Sequence, residues 1–403
     1  MSRVKRILRV VRINIGLTLI GLAAVGGAVE LIERTRASDR SDAIDARYRR
    51  INGESGDELS LRHVAILRSL NSKGTVEYRD YHLMTPGTYE SETINFGRYG
   101  GGSDIISRFV PYNATVTDPR PLRVWFFGGS TMQNLEVPDE RTIANAAIAY
   151  LNRSGVPATG LNFGVGGFHL ALEVVKFVDL IRRSDPQSWP DLVVFYDGYN
   201  DWASALVQGA GNIGEDYRSR MRATIEQDYI ALFGYATSQF LARYLKAWEK
   251  YAHSAISNWF IGRNQASRGK GSTDAAVRSY VANTQIVAAV GKALGIKVEF
   301  VLQPMLLSKV PLSPFETEFM SRVGPAEADA FQRFYGGVRL AMAGASFHDL
   351  SSVLNGRQES DFYDYGHIGP HTGSIIGEAI GRSVLTAAGE RKRQLQSEGA
   401  TSR

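Results

Sequence analysis

The sequence predicts an α/β fold built on a parallel sheet. From Leu122 onward, short apolar runs alternate with longer segments of helical periodicity, which is the pattern of successive βα units. The apolar runs contain almost no alternating polar residues, as expected for strands that are covered on both faces. Glycine-rich and polar strings follow three of these runs, at the strand ends where parallel sheets form ligand sites.

Five strands and five helices are predicted in this region. The strands are 122–127, 161–164, 191–196, 297–302 and 346–350. The helices are 142–151, 169–183, 273–293, 326–343 and 373–388. An aromatic-rich helical insertion at about 203–270 interrupts the alternation, and it is interpreted either as a packed helical pair or as a lid or acyl groove.

The N-terminus has the features of a membrane anchor. Five basic residues and no acidic residue occur in 1–12, and they account for the whole net charge of +5, so the charge does not indicate a nucleic-acid-binding face. The mostly apolar residues 13–32 are long enough to cross a bilayer as a helix. A cleavable signal peptide is the alternative, since Gly26 and Ala28 could flank a cleavage point.

This N-terminus predicts a single-pass protein of the bacterial inner membrane. The positive charges keep residues 1–12 in the cytoplasm, residues 13–32 form a transmembrane signal anchor, and the remainder is periplasmic. Residues 33–115 are predicted to be a stalk and an N-terminal extension, irregular over 61–120, and residues 391–403 a frayed, charged tail. The chain has no cysteine, which excludes disulfides, cysteine metal sites and a thiol nucleophile.

A serine follows the first predicted strand directly, in the string Gly128-Gly129-Ser130-Thr131. The glycines allow a sharp turn, and a serine hydroxyl becomes a nucleophile when a base removes its proton. The alternative is a glycine-rich turn with a capping serine. The Gly-x-Ser-x-Gly elbow is absent, because Met132 occupies the position of its last glycine.

Two further strings follow the next strands, Asn-Phe-Gly-Val-Gly-Gly at 162–167 and Gly-Tyr-Asn-Asp at 198–201. Acyl transfer places negative charge on a carbonyl oxygen, and fixed donors aimed at that oxygen lower the barrier. The N–H groups of Ser130 and Gly167 and the side-chain amide of Asn200 are therefore candidates for an oxyanion hole. A tight turn and a helix cap are the alternative interpretations of the two strings.

The best candidate for the base is His367, within Asp364-Tyr365-Gly366-His367. Of the seven histidines, it alone has a carboxylate three residues earlier in a loop-like context. Asp364 can hold one imidazole nitrogen while the other faces the serine. His348, followed by Asp349, is a weaker competitor because it lies beside a strand. No histidine cluster has the spacing of a metal site.

The four strings together resemble the blocks of the SGNH/GDSL hydrolase superfamily, over roughly residues 120–385. The first block reads Gly-Gly-Ser-Thr in place of Gly-Asp-Ser-Leu, which is similar to membrane-anchored bacterial members. The resemblance implies a flavodoxin-like three-layer α/β/α sandwich over 116–390. It also implies a serine esterase that needs no cofactor and no metal.

The resemblance assigns roles to the candidate residues. Ser130, Asp364 and His367 are implied to be catalytic, and Ser130, Gly167 and Asn200 to form the oxyanion hole. For a membrane-tethered extracytoplasmic member, the implied substrate is an O-acyl ester, above all an O-acetyl ester, of an envelope carbohydrate. An O-acyltransferase acting on a glycan, a lipid or lysophospholipid esterase, and a catalytically inert membrane-anchored binding module are the alternatives.

Overall fold

The computed structural model describes residues 58–59, 62–63, 66–67, 76–79, 83–98, 105–204, 272–344 and 346–401. The chain divides into two compact units, Met1–Arg50 and Ile51–Arg403, and every described residue belongs to the second. The predicted membrane anchor and nearly all of the predicted insertion lie outside the described residues. Within the described ranges, no helix combines the length and the apolar character needed to span a membrane.

The strands form one small antiparallel pair and one larger sheet. The pair is β1 (Val76–Arg79) and β2 (Leu83–Pro86). The sheet contains β3 (Phe96–Gly97), β4 (Ser107–Arg108), β5 (Leu122–Gly128), β6 (Ala158–Asn162), β7 (Leu192–Asp197), β8 (Lys297–Leu302) and β9 (Phe347–Asp349), in the order β3-β4-β6-β5-β7-β8-β9. Strands β5 to β9 are mutually parallel in the order 2-1-3-4-5, the flavodoxin-like arrangement. The predicted parallel sheet is confirmed.

The described helices are α1 (Ser130–Gln133), α2 (Ile143–Arg153), α3 (Leu170–Arg183), α4 (Tyr199–Ser204), α5 (Thr273–Leu294), α6 (Pro314–Met320), α7 (Pro325–Ala341) and α8 (Pro370–Thr401). Short 3₁₀ turns occur at Pro111–Thr115, Asp139–Arg141, Pro186–Ser188 and Leu306–Ser308. Four of the five predicted helices agree with α2, α3, α5 and α7 within two residues at each end. Several begin at polar caps, as Thr142 does for α2 and Ser272 for α5.

Helices cover both faces of the parallel sheet. Helices α2 and α8 pack against each other on one face, closely enough that a side chain at Gly377 would collide with the Ile143 carbonyl. On the other face, α3, α5 and α7 enclose the main hydrophobic core. A row of stacked rings crosses that face of the sheet: Phe127 lies 5.1 Å from Phe195, which lies 5.9 Å from Phe300. Since successive residues of a strand face opposite sides of the sheet, the side chains of β5 pack into both helical layers.

Two predictions for the segments before and after the parallel βα region are wrong. The extension predicted to be irregular over 61–120 supplies β3 and β4, which add an antiparallel edge to the sheet beyond β6. The frayed tail predicted after residue 390 instead continues α8 to Thr401. The buried Lys392 explains this continuation, because its ammonium group donates to Asp118 Oδ2 at 3.1 Å and to the Arg120 carbonyl.

Candidate active site

The structure brings three of the predicted residues into one hydrogen-bonded relay. His367 Nε2 lies 2.8 Å from Ser130 Oγ, and His367 Nδ1 lies 2.7 Å from Asp364 Oδ2. With the proton on Nδ1, the histidine donates to the carboxylate and can accept the serine proton at Nε2. The relay joins residues 237 positions apart in the chain.

Ser130 is positioned by the turn between β5 and α1. A Cβ at Gly128 would lie 2.8 Å from the Tyr196 carbonyl oxygen, and one at Gly129 would collide with the side-chain amide nitrogen of Asn200. Both positions therefore have no room for a side chain. The turn therefore places the Ser130 hydroxyl at the carboxyl end of β5, the edge where parallel sheets form ligand sites.

The loop that carries the base is preorganised by its own aspartate. Asp364 Oδ1 accepts hydrogen bonds from the Gly366 and His367 N–H groups, each at 2.9 Å, while Oδ2 binds the imidazole. Burial favours the neutral form of Asp364, but the bonds from His367 and the backbone outweigh it and lower the pKa. Asp364 therefore stays ionised at neutral pH and fixes the orientation of the ring.

A buried ionic cluster anchors this loop to the rest of the domain. Lys309 Nζ lies 2.7 Å from Glu316 Oε2 and 2.9 Å from Asp361 Oδ2, and these three side chains are at most 1% exposed. Glu316 Oε1 also accepts the N–H groups of Asp361 and Phe362, at 2.9 and 3.2 Å. The start of the loop, three residues before Asp364, is thereby held by charge-assisted hydrogen bonds.

The segments that carry the candidate oxyanion donors lie next to the turn of Ser130. Gly167 adopts φ +77°, in the left-handed region that favours glycine, and it follows Gly166, where a Cβ would lie 3.9 Å from Ser130 Cβ. Asn200 Nδ2 donates to the Phe168 carbonyl at 2.6 Å, which fixes the orientation of the amide. The second N–H of that amide remains as a donor beside the serine turn.

Asn200 is held in position by its buried neighbour Asp201, which the sequence analysis considered only as part of a helix cap. Asp201 Oδ1 accepts the N–H of Leu170 at 3.2 Å, which ties the short helix α4 to the start of α3. Burial, reinforced by repulsion among neighbouring carboxyls, raises the pKa of Asp197 and Asp201 well above the usual range. Burial therefore favours the neutral form of both carboxyls, and Asp201 in that form still accepts the Leu170 N–H.

A fourth ionisable side chain, Glu136, faces the relay, and the sequence analysis missed it. Glu136 Oε1 lies 3.7 Å from His367 Nε2, and the side chain is 10% exposed. Burial raises the pKa of Glu136, and the attraction of His367 offsets part of that shift. For His367, burial alone would lower the pKa, but the carboxylates of Glu136 and Asp364 outweigh it and raise the pKa to about 9.

The segment that carries Glu136 is clamped by the N-terminal extension. The buried guanidinium of Arg108 donates to the carbonyls of Gln133 (2.7 Å), Asn134 and Val137 (2.6 Å) and to Asp139 Oδ1 (2.8 Å). The buried His63 adds a contact at 2.8 Å between its Nε2 and the Leu135 carbonyl. The extension, which lies outside the family resemblance, is thus part of the site architecture. The sequence signal for this clamp was Arg108 itself, a charged residue within the mostly apolar run 105–110.

The competing histidines lie elsewhere. His348 Nε2 pairs with Glu299 Oε2 at 2.8 Å, and its neighbour Asp349 pairs with Arg339 at 2.6 Å. His169 is buried at the start of α3, and burial lowers its pKa to about 4. The structure therefore places only His367, among the histidines of the described residues, against the serine.

The comparisons with known proteins yield likenesses of fold. No family model matches the chain, and no curated protein sequence matches it. A GDSL-like lipase from Bacteroides thetaiotaomicron is 16% identical over 69% of this chain and 95% of its own, with a TM-score of 0.33. Est24, a carbohydrate acetylesterase from Sinorhizobium meliloti, is 13% identical over 66% of this chain and 99% of its own, with a TM-score of 0.37.

A third solved structure has a further domain. The carbohydrate esterase family 2 enzyme from Corynascus thermopiles (Myceliophthora fergusii), solved with a carbohydrate binding domain, is 16% identical over 70% of this chain and 71% of its own, with a TM-score of 0.36. These three neighbours are a lipase and two carbohydrate esterases. Because each TM-score is below 0.5, the functional proposal rests on the relay and its surroundings.

Proposed function

We propose that the chain is a serine esterase of the SGNH/GDSL type, which opens O-acyl esters through an acyl-enzyme. The observation that carries the proposal is the continuous relay from Ser130 Oγ through His367 to Asp364, with links of 2.8 and 2.7 Å. An oriented base beside a serine at a strand end is what nucleophilic catalysis requires.

In the proposed reaction, Ser130 Oγ attacks the ester carbonyl while His367 Nε2 takes its proton. Negative charge then develops on the carbonyl oxygen, where the N–H groups of Ser130 and Gly167 and the Asn200 amide would donate hydrogen bonds. As the carbon–oxygen bond breaks, His367 returns the proton to the departing alcohol. Water activated by the same nitrogen then hydrolyses the acyl-enzyme.

The proposed substrate is an O-acetyl ester of an envelope carbohydrate, and the proposed location is the periplasmic side of the inner membrane. Both rest on sequence: the basic residues 1–12, the apolar residues 13–32 and the resemblance of the first block to membrane-anchored members. The proposed partners are this substrate, or alternatively an acylated lipid, and the membrane itself. The chain outside 1–12 carries almost no net charge, so no nucleic-acid partner is proposed.

A fluorophosphonate probe tests the nucleophile in the full-length chain. We expect covalent labelling at Ser130, identified by peptide mass spectrometry, together with release of acetate from an O-acetylated glycan. Analysis of the products with and without an acceptor glycan separates hydrolysis from acyl transfer. A chain that neither labels at Ser130 nor releases an acid from any short ester would contradict the proposal.

Replacing Asn200 with alanine should slow the enzyme without abolishing it. Loss of one oxyanion donor lowers kcat by about 10²- to 10³-fold, because the donor acts on charge that develops in the transition state. The measurement is kcat and KM for 4-nitrophenyl acetate. Asn283→Ala is the matched control, since the Asn283 amide bonds the Ser279 carbonyl within α5. Equal kcat values for the two variants would remove Asn200 from the oxyanion hole.

The pH profile should show a basic optimum. His367 accepts a proton only when neutral, and its pKa is raised to about 9, so kcat/KM should fall as the pH falls below 9. Glu136→Gln removes one of the two carboxylates that raise this pKa and should shift the limb to lower pH. Initial rates on 4-nitrophenyl acetate, corrected for uncatalysed hydrolysis, provide the measurement. An identical limb in the wild type and Glu136→Gln would show that Glu136 does not act on His367.

A further inference from the structure

One buried carboxyl group in the active site takes no part in the steps above. Glu136 Oε1 lies 3.7 Å from His367 Nε2, and that same nitrogen lies 2.8 Å from Ser130 Oγ. Glu136 is therefore a neighbour of the reacting atoms. Its other oxygen, Oε2, is buried and has no hydrogen-bond partner among the described residues. Because Oε2 is enclosed by the protein, Oε1 beside His367 Nε2 is the oxygen that a substrate group can reach.

The backbone on both sides of Glu136 is fixed. The Leu135 carbonyl accepts from His63 Nε2 at 2.8 Å, and the Val137 carbonyl accepts from Arg108 Nη2 at 2.6 Å. Because both flanking residues are clamped, Glu136 is held at the relay by the same buried groups that hold the serine loop. A bound substrate can therefore supply a hydrogen-bond donor to Oε1 at a fixed position beside His367 Nε2.

We propose that Glu136 binds a hydroxyl group of the alcohol half of the substrate, so that the preferred substrates are partly acylated polyols. The inference rests on the proposed esterase function and specifies its alcohol. When His367 Nε2 returns its proton, the ester oxygen of the departing alcohol lies within hydrogen-bond distance of that nitrogen. A hydroxyl on the adjacent carbon then lies on the side of Glu136 and can donate to its carboxyl oxygen.

This contact favours esters whose alcohol carries a neighbouring hydroxyl over simple alkyl esters, which have no donor for Glu136. A carboxyl group has an acceptor oxygen whether or not it is ionised, so the contact can form in either state and is stronger with the carboxylate. A site built to receive a hydrogen bond discriminates strongly against an analogue that lacks the donor, because the buried acceptor is left unpaired. Esters of sugars and of glycerol carry hydroxyls beside their ester positions, so both belong to the proposed class of partly acylated polyols.

The test compares two esters that differ in one donor, 2-hydroxyethyl acetate and 2-methoxyethyl acetate, on the full-length protein. We expect wild-type kcat/KM to favour the hydroxyl ester by about 10- to 100-fold, the factor of a hydrogen bond to a charged group. Glu136→Leu removes the acceptor and should bring the ratio close to one. Glu136→Gln retains an acceptor oxygen and should keep part of the preference. Glu140→Gln, an exposed acidic residue of the same segment, should keep the wild-type ratio.

The outcomes separate a failure of this inference from a failure of the esterase proposal. A wild-type ratio near one, with 4-nitrophenyl acetate turned over, would overturn this inference and leave the esterase proposal in place. A strong wild-type preference that persists unchanged in Glu136→Leu would overturn it as well. No turnover of any of the three esters would overturn the esterase proposal and the inference that rests on it. Because each ratio is taken within one protein sample, a loss of folded protein in a variant cancels.

Discussion

Ser130→Ala should reduce ester turnover by about 10⁴- to 10⁶-fold, as expected when the nucleophile of a serine–histidine–aspartate relay is removed. The hydroxyl forms the 2.8 Å link to His367 Nε2, and alanine leaves no atom that can form an acyl-enzyme. The fold should persist, because the turn depends on the glycines before the serine and on backbone bonds such as that from the Asn134 N–H to the Ser130 carbonyl, at 2.7 Å.

The measurement is kcat/KM for 4-nitrophenyl acetate, with thermal unfolding to confirm the fold. Ser188→Ala is the matched control, since Ser188 precedes β7 at the opposite edge of the sheet and bonds the Asp185 carbonyl at 2.7 Å. The control should retain wild-type activity. Turnover by Ser130→Ala within tenfold of the wild type would contradict the assignment of the nucleophile.

Lys309→Met should destabilise the domain by about 3–5 kcal/mol, because it leaves the buried carboxylate of Glu316 without a cation, while Asp361 keeps its ion pair with Arg357 at 3.0 Å. Methionine nearly preserves the volume of lysine, so the effect reports the charge. The loss should extend to catalysis at temperatures where the variant is still folded, since Asp361 begins the loop that presents Asp364 and His367.

Chemical denaturation followed by tryptophan fluorescence gives the free energy of unfolding of this variant. Arg322→Met is the control, because Arg322 pairs with Glu318 at 2.9 Å while both side chains are more than half exposed. Exposed pairs of this kind contribute about 0.3–0.5 kcal/mol. If Lys309→Met were no less stable than Arg322→Met, the ionic cluster would not be what anchors the loop.

The parallel sheet and its helices were predictable because their signals are local. Strand 297–302 is found with the predicted ends, since its apolar run is bounded by Gly295 before it and Pro304 after it. The Ser130, Gly167, Asn200 and His367 strings were predictable for a related reason. Parallel strands end at one edge of the sheet, so residues that follow successive strands come together whatever their distance in sequence.

The supporting residues were not predictable in this way. Arg108 and Lys309 each act through partners that include residues far away in the sequence, and neither belongs to a recurring string. The strands β3 and β4 are two residues each, too short to show a period, and they exist because β6 offers them an edge. The end of α8 was missed because its stabilising contact, from Lys392 to Asp118, joins opposite ends of the domain.

The separation of 237 residues between the two halves of the relay has a consequence for the newly made chain. The nucleophile turn is synthesised early, but its base arrives only after β7, β8 and β9 are complete. A growing chain therefore carries an unactivated serine for most of its synthesis. The proposed hydrolytic activity can therefore appear only when the loop of Asp364 and His367 has been made, when most of the domain is already present.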